Sequence, residues 1–359
     1  MTAWKLTILV SLSARVQAES LLTMAELQLF STGDLVSYPR YPNANHSLLI
    51  ILGSSVEDYK TAIGHREITC VRNLSQLPKS PLTLCGPGTY RPSREKKIAA
   101  LENYLKLVKY LLPTDDSITG SSLWHSDLHR ENIYVNPDKP GEIVGIIDWQ
   151  STDLLPLFDH ARQPYILDYD GPHVTGLERP ALPENFQELT SEEQRRAQSL
   201  YLQMSLLALY KKLTHDRNER LYGAMEFRET LSFELLLLAQ NLLIDGEAHY
   251  QAHIVNLEHV WADLPGVRAH GNPPFPCHFS SDKLTAIYDD EARAIRGMEY
   301  MELIKQTLGD LWPEKGIVRH DQYNESKEAL RQAKLRLFDQ LGLNEHERID
   351  WDLAWPFDD

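Results

Sequence analysis

Two short stretches, LWHSDLHRENIYV from Leu123 to Val135 and GIIDWQ from Gly145 to Gln150, constrain the fold more than any other part of the chain. Apolar runs at Asn132 to Val135 and Ile143 to Ile147 flank the turn-forming sequence PDKPGE, the pattern of a compact β-hairpin. Before the first strand stand His125, Asp127 and His129, Asn132 opens it, and Asp148 ends the second. Around this hairpin the chain is predominantly helical in pattern, so an α+β fold with one small, acid-rich hairpin is expected.

The helical expectation rests on spacing and caps. Ser93 can cap a helix in which Ile98, Leu101, Leu105, Val108 and Leu112 recur at helical intervals, and Pro113 closes it. Thr190 with Glu193 forms a capping box ahead of a long helix through Leu213. Further helices are expected over 219–245, 247–262, 282–308 and 322–341. Upstream, the pattern predicts a helix around Ala14 to Phe30 and a strand in SLLIILG, Ser47 to Gly53. The Pro- and Gly-rich stretch from Leu77 to Pro92 reads as loop and as the boundary between a segment 1–92 and a helical segment 93–359. The chain shows neither an internal repeat nor a low-complexity tract.

Composition narrows the function classes. Hydrophobic residues make up 42% and charged residues 24% of the 359, values ordinary for a folded globular protein. The net charge of −15, from 36 basic and 51 acidic residues, disfavours nucleic acid or an anionic membrane surface as partner. The longest apolar run, Leu231 to Ile244, is broken by Glu234, Gln240 and Asn241 and is too short for a membrane span. Cys70, Cys85 and Cys277 are scattered and odd in number, which points to a reducing compartment and away from structural zinc. At the N-terminus, Lys5 before LTILVSL and Val16-Gln17-Ala18 have some features of a signal peptide, but the short apolar run fits the start of an amphipathic helix better. Trp312, Trp351 and Trp355 near the C-terminus are expected to serve packing rather than a ligand pocket.

The chemistry-bearing positions admit three readings. In the kinase catalytic loop, H-R-D-x-x-x-x-N, Asp accepts the proton of the substrate hydroxyl and Asn holds magnesium, and a further Asp after another strand binds magnesium too. His125, Asp127, Asn132 and Asp148 stand at those offsets. Carboxylate and amide oxygens are the hard ligands magnesium requires, and His125 suits bracing the loop better than chemistry. The second reading takes His125, Asp127 and His129 as metal ligands of a hydrolase, but leaves Asn132 and Asp148 without a role. The third makes each residue a turn former, a cap or a satisfied core group.

HSDLHRENIYV with GIIDWQ resembles the HGDLHxxN…IDW signature of the aminoglycoside phosphotransferase and choline-kinase-like family, whose fold is protein-kinase-like. The blocks SLLIILG, GHREITCV, NYLKLVKYLLP, IIDWQSTDLLPLF, RPALPENFQELTSEEQ and WPFDD are similar to the fungal altered inheritance of mitochondria protein 9 subfamily. The resemblance runs from about residue 16 to the C-terminus. It implies a mostly helical C-terminal lobe with a catalytic β-hairpin, Asp127 as catalytic base, Asn132 and Asp148 as magnesium ligands for ATP, and His125 as the structural histidine. Ser126 stands where the family most often has Gly, and Arg130-Glu131 replace its frequent Pro-Gly.

Upstream of residue 125 the sequence has neither G-x-G-x-x-G nor a V-A-I-K-like strand, the parts that cover and hold the phosphates in kinases. The expectation is therefore an incomplete N-terminal lobe, with Leu48 to Gly53 at its back beside the adenine site. An ATP-dependent transfer to a small-molecule hydroxyl is the activity the resemblance implies. The rival is a non-catalytic, pseudokinase-like binding or scaffold protein. The subfamily resemblance implies a mitochondrial location, with the cytoplasm as the alternative. Neither the acceptor nor the oligomeric state is written in these residues.

Overall fold

The computed structural model describes residues 55–80, 82–313 and 318–357. The helix expected around Ala14 to Phe30 and the strand expected at Ser47 to Gly53 lie outside these residues.

Helix α1, Val56–Asn73, begins where Ser55 Oγ accepts the Asp58 N–H at 3.1 Å, with Glu57 and Asp58 in the first turn opposite the positive end of the helix dipole. The apolar periodicity alone does not announce this helix, because its buried face mixes Ile63, Ile68 and Val71 with Lys60, Gly64 and Glu67. Helix α2, Arg94–Leu111, is capped as expected by Ser93, whose Oγ accepts the Lys96 N–H at 3.2 Å.

A single turn α3, Asp116–Thr119, leads into four strands: β1 Ser121–His125, β2 Ile133–Val135, β3 Ile143–Ile146 and β4 Thr152–Pro156. Helices follow: α4 Leu157–His160, α5 Ser191–Arg217, α6 Glu219–Arg228, α7 Leu231–Ala239, α8 Glu247–Val260, α9 Pro265–Ala269, α10 Ser281–Leu308, α11 Tyr323–Gln340 and α12 Glu345–Ala354. The class is α+β, mostly helical, with two two-stranded antiparallel sheets among the described residues. No described helix is long and apolar enough to cross a membrane.

The capping box before α5 forms as expected: Glu193 Oε2 accepts the Thr190 N–H at 2.8 Å and Thr190 Oγ1 accepts the Glu193 N–H at 3.4 Å. The single helix expected over 219–245 is instead two, α6 and α7. Thr230 makes the break: its hydroxyl donates to Phe227 O at 2.6 Å and accepts the Phe233 N–H at 3.2 Å, closing one helix and opening the next. Thr230→Ala is expected to cost about 1 kcal/mol in chemical denaturation, the usual value of a lost N-cap.

The described chain forms two compact units, Pro113–Glu234 and the residues up to Leu112 joined with those from Leu235 onward. The boundary expected near residue 92 is not where they divide. The Pro- and Gly-rich loop before α2 is tied into the second unit: Leu84 is fully buried in a cluster with Met301, Ile304, Phe338, Trp351 and Trp355, and Lys79 Nζ donates to Trp355 O at 2.6 Å. A loop composition identifies turns but not exposure, and this one supplies core. Trp351 and Trp355 pack as expected.

In that second unit α2 packs against α1, α8 and α9, α8 against α10, and α10 against α11. Gly266 lets α9 approach α2 closely, since a Cβ there would collide with the Tyr110 carbonyl. At its centre Lys97 Nζ donates to Glu247 Oε2 and to Leu242 O, both at 2.8 Å, while Tyr90 Oη donates to Glu247 Oε1 at 3.0 Å.

In the unit Pro113–Glu234, β1 pairs with β4 from Ser121↔Pro156 to His125↔Thr152, and β2 pairs with β3. Leu123 to His125, at the head of the motif, are therefore strand. Phe158, Phe227 and Phe233 meet edge to face, and Arg228 covers Phe233 at 4.2 Å while its Nη1 donates to Phe158 O and Asp159 O.

Candidate functional site

β1 delivers His125 to the mouth of a tight turn. The turn runs through Ser126 to His129, where the His129 N–H donates to Asp127 O at 2.9 Å, and then into a 3₁₀ turn at Arg130–Asn132. Asn132 closes it: its N–H donates to His129 O at 3.1 Å, and its side-chain Nδ2 donates to the Asp127 carbonyl at 2.9 Å. The Asn132 residue is only 5% exposed, so this bond is made where an unmade one would be costly. With Nδ2 so engaged, Oδ1 is the amide atom available for a hard cation.

The second strand is locked to the same structure through one residue, Ile147. Its N–H donates to Asn132 O at 3.1 Å, and its carbonyl accepts from His125 Nε2 at 2.8 Å. A carbonyl only accepts, so the His125 ring carries hydrogen on Nε2. Trp149 steadies that ring from the side, edge-on at 4.9 Å between centroids, and its own Nε1 donates to Ile146 O at 2.8 Å. These contacts tie His125 to the end of the second strand. Nothing in the sequence marks Ile147 and Trp149 as site residues beyond their place on either side of Asp148.

Asp148 follows with φ 71° and ψ 45°, a left-handed conformation that costs a non-glycine residue about 1–2 kcal/mol but is tolerated best by Asn and Asp. Strain of this kind concentrates where a side chain must be aimed. The Asp148 carboxylate accepts from Gln150 Nε2. Asn132 and Asp148 thus flank the open end of the β2–β3 hairpin, one residue beyond the Ile133↔Ile146 pair on one side and two on the other. Both offer oxygen, the donor type that fits magnesium.

Asp127 lies in the turn itself, its side chain 45% exposed and its Oδ2 at 3.5 Å from His129 Nε2. His129 Nδ1 in turn meets Glu131 Oε2 at 3.0 Å, and Arg130 Nε donates to Glu131 Oε1 at 2.6 Å. The Arg130 bond holds the Glu131 carboxyl below its ordinary range. His125, Asp127 and His129 do not share a strand face, because β1 ends at His125. Among the described residues these three do not gather ligand atoms within 4.8 Å of one another, and His125 Nε2 is committed to Ile147. The hydrolase arrangement is therefore not formed.

The hairpin also leaves Tyr134, Val135, Val144, Ile147 and Trp149 exposed, an unusual concentration of large apolar side chains next to charged groups. The cysteines are free and take no part in the site; burial pushes the Cys85 thiol up to about 12 and the Cys277 thiol up to about 11, unlike reactive thiols.

No family model and no solved structure matches the chain. It is similar to a subtelomeric hrmA-associated cluster protein of Aspergillus fumigatus, found in two strains of that fungus, at 24% identity over 322 residues. The match covers 87% of this chain and 59% of each relative, so the chain spans about three-fifths of the length of the curated relatives it matches.

Proposed function

We propose that the chain carries the magnesium-binding and catalytic site of a protein-kinase-like phosphotransferase of the aminoglycoside phosphotransferase type, acting with ATP on a small-molecule hydroxyl. The observation that carries this reading is the double grip on Ile147, which sets the oxygens of Asn132 and Asp148 at one end of the hairpin beside the Asp127 turn. Asn132 Oδ1 and the Asp148 carboxylate would hold Mg²⁺, which when bound neutralises charge on the phosphoryl group in transfer. Asp127 accepts the hydroxyl proton as the acceptor oxygen bonds to the γ-phosphorus and the bond to the leaving ADP breaks. His125 positions the loop and takes no proton. Catalysis of this kind is chiefly placement and electrostatics, and a site braced through backbone groups supplies placement. The exposed apolar residues of the hairpin provide a surface that a bound nucleotide can cover.

One observation favours a non-catalytic binding role instead: both acids already have partners within the chain, Asp148 in Gln150 and Asp127 in His129. A cation or a substrate has to displace them. The deciding experiment offers γ-labelled ATP and a panel of small alcohols, sugars and amino alcohols to the purified chain, with and without Mg²⁺. Label transferred to an acceptor only with Mg²⁺ is the expected result. Mg²⁺-dependent ATP binding with no transfer to any acceptor or to water would favour the non-catalytic role.

A further inference from the structure

Away from the hairpin, helix α8 carries His249 and His253 four residues apart, on one face of the helix. Their rings stand 4.0 Å apart between centroids at 66°, with ligand nitrogens within 4.8 Å of one another. Glu291, from α10 packed alongside in the same unit, places Oε1 at 3.1 Å from His249 Nδ1. A carboxylate on Nδ1 fixes the hydrogen there and leaves the lone pair on Nε2, the arrangement found behind metal-bound histidines. Two imidazoles this close gain little from each other, and two imidazolium rings would repel; a shared cation converts the contact into an attractive one.

We propose that His249 and His253 form a binding site for a borderline divalent transition-metal ion of the zinc(II) class, with Glu291 as the positioning residue for His249. Imidazole nitrogen selects zinc, copper or nickel over magnesium, whose preference is for oxygen, so this site is chemically distinct from the one at Asn132 and Asp148. The helix itself fixes the spacing of the two ligands, which leaves only side-chain rotation to bring both nitrogens to about 2.0–2.1 Å from one ion.

Calorimetric titration of the chelator-treated full chain with Zn²⁺ tests the site. The wild type is expected to take up one high-affinity equivalent that excess Mg²⁺ does not displace. That equivalent disappears in His249→Gln/His253→Gln, weakens by about 10–100-fold in Glu291→Ala as for other lost carboxylate partners, and persists in Asp148→Asn. Circular dichroism confirms that each variant is folded, and the single variant His253→Gln serves should the double one lose its helix content. Zinc uptake of unchanged stoichiometry and affinity in folded His253→Gln, or no tight equivalent in the wild type, overturns the proposal without bearing on the phosphotransferase reading.

Discussion

Lys97→Met is expected to cost about 3–5 kcal/mol of folding stability at neutral pH, read from denaturant unfolding against the wild type. The Lys97 and Glu247 side chains are 0% and 1% exposed, and the ammonium donates to both Glu247 and the Leu242 carbonyl. Removing it strands a carboxylate whose remaining side-chain partner is the Tyr90 hydroxyl. The cost comes mainly from that uncompensated charge rather than from the missing attraction, because desolvating the two ions offsets much of their attraction in the intact protein. Pairing the change with Glu247→Leu should therefore recover part of the stability. Recovery stays incomplete, since Tyr90 Oη and Leu242 O are left without partners at about 1–3 kcal/mol each. A loss below about 1 kcal/mol in the single variant would mean that water reaches Glu247 once the lysine is gone.

Asp127→Asn is expected to lower phosphoryl transfer by about 10²–10⁴-fold, the usual contribution of a positioned general base. The backbone around it is indifferent to the change. Asn132 Nδ2 and the His129 N–H bond to the backbone carbonyl of residue 127, not to its carboxylate, so the turn keeps its shape when the side chain becomes an amide. The carboxylate's own pairing with His129, at 3.5 Å, is half exposed and contributes little to stability. Binding of ATP with Mg²⁺ should stay within a small factor while kcat falls. Equal transfer by the two proteins would remove Asp127 from the chemistry.

The spacing of His125, Asp127, Asn132 and Asp148 is legible in the sequence because the offsets are local: a turn, two short strands and a tight connection fix them without reference to the rest of the chain. The bracing is not. β1 is a strand only because Thr152–Pro156 pairs with it, and that pairing crosses the whole hairpin. Helix α1 leaves no clear signal because two positions of its buried stripe are taken by Lys60 and Glu67, charged residues that ordinarily face solvent. The loop before α2 has the composition of a linker, yet Leu84 makes it part of the core. The break between α6 and α7 turns on a single hydroxyl inside a continuous apolar pattern. In each case the deciding partner is remote in sequence or is one side-chain bond, and neither leaves a periodic trace.

The most direct measurement is calorimetric titration of the chain with ATP in the presence and absence of Mg²⁺, beside Asp148→Asn. Asparagine tolerates the left-handed backbone at φ 71° and keeps nearly the same shape, so the substitution removes the charge and little else. ATP binding that requires Mg²⁺ and weakens by about tenfold or more in Asp148→Asn, as expected when a hard cation loses an anionic ligand, is the predicted result. Binding indifferent to Mg²⁺ and to the substitution, or no binding by the folded chain, would contradict a nucleotide site built on this hairpin.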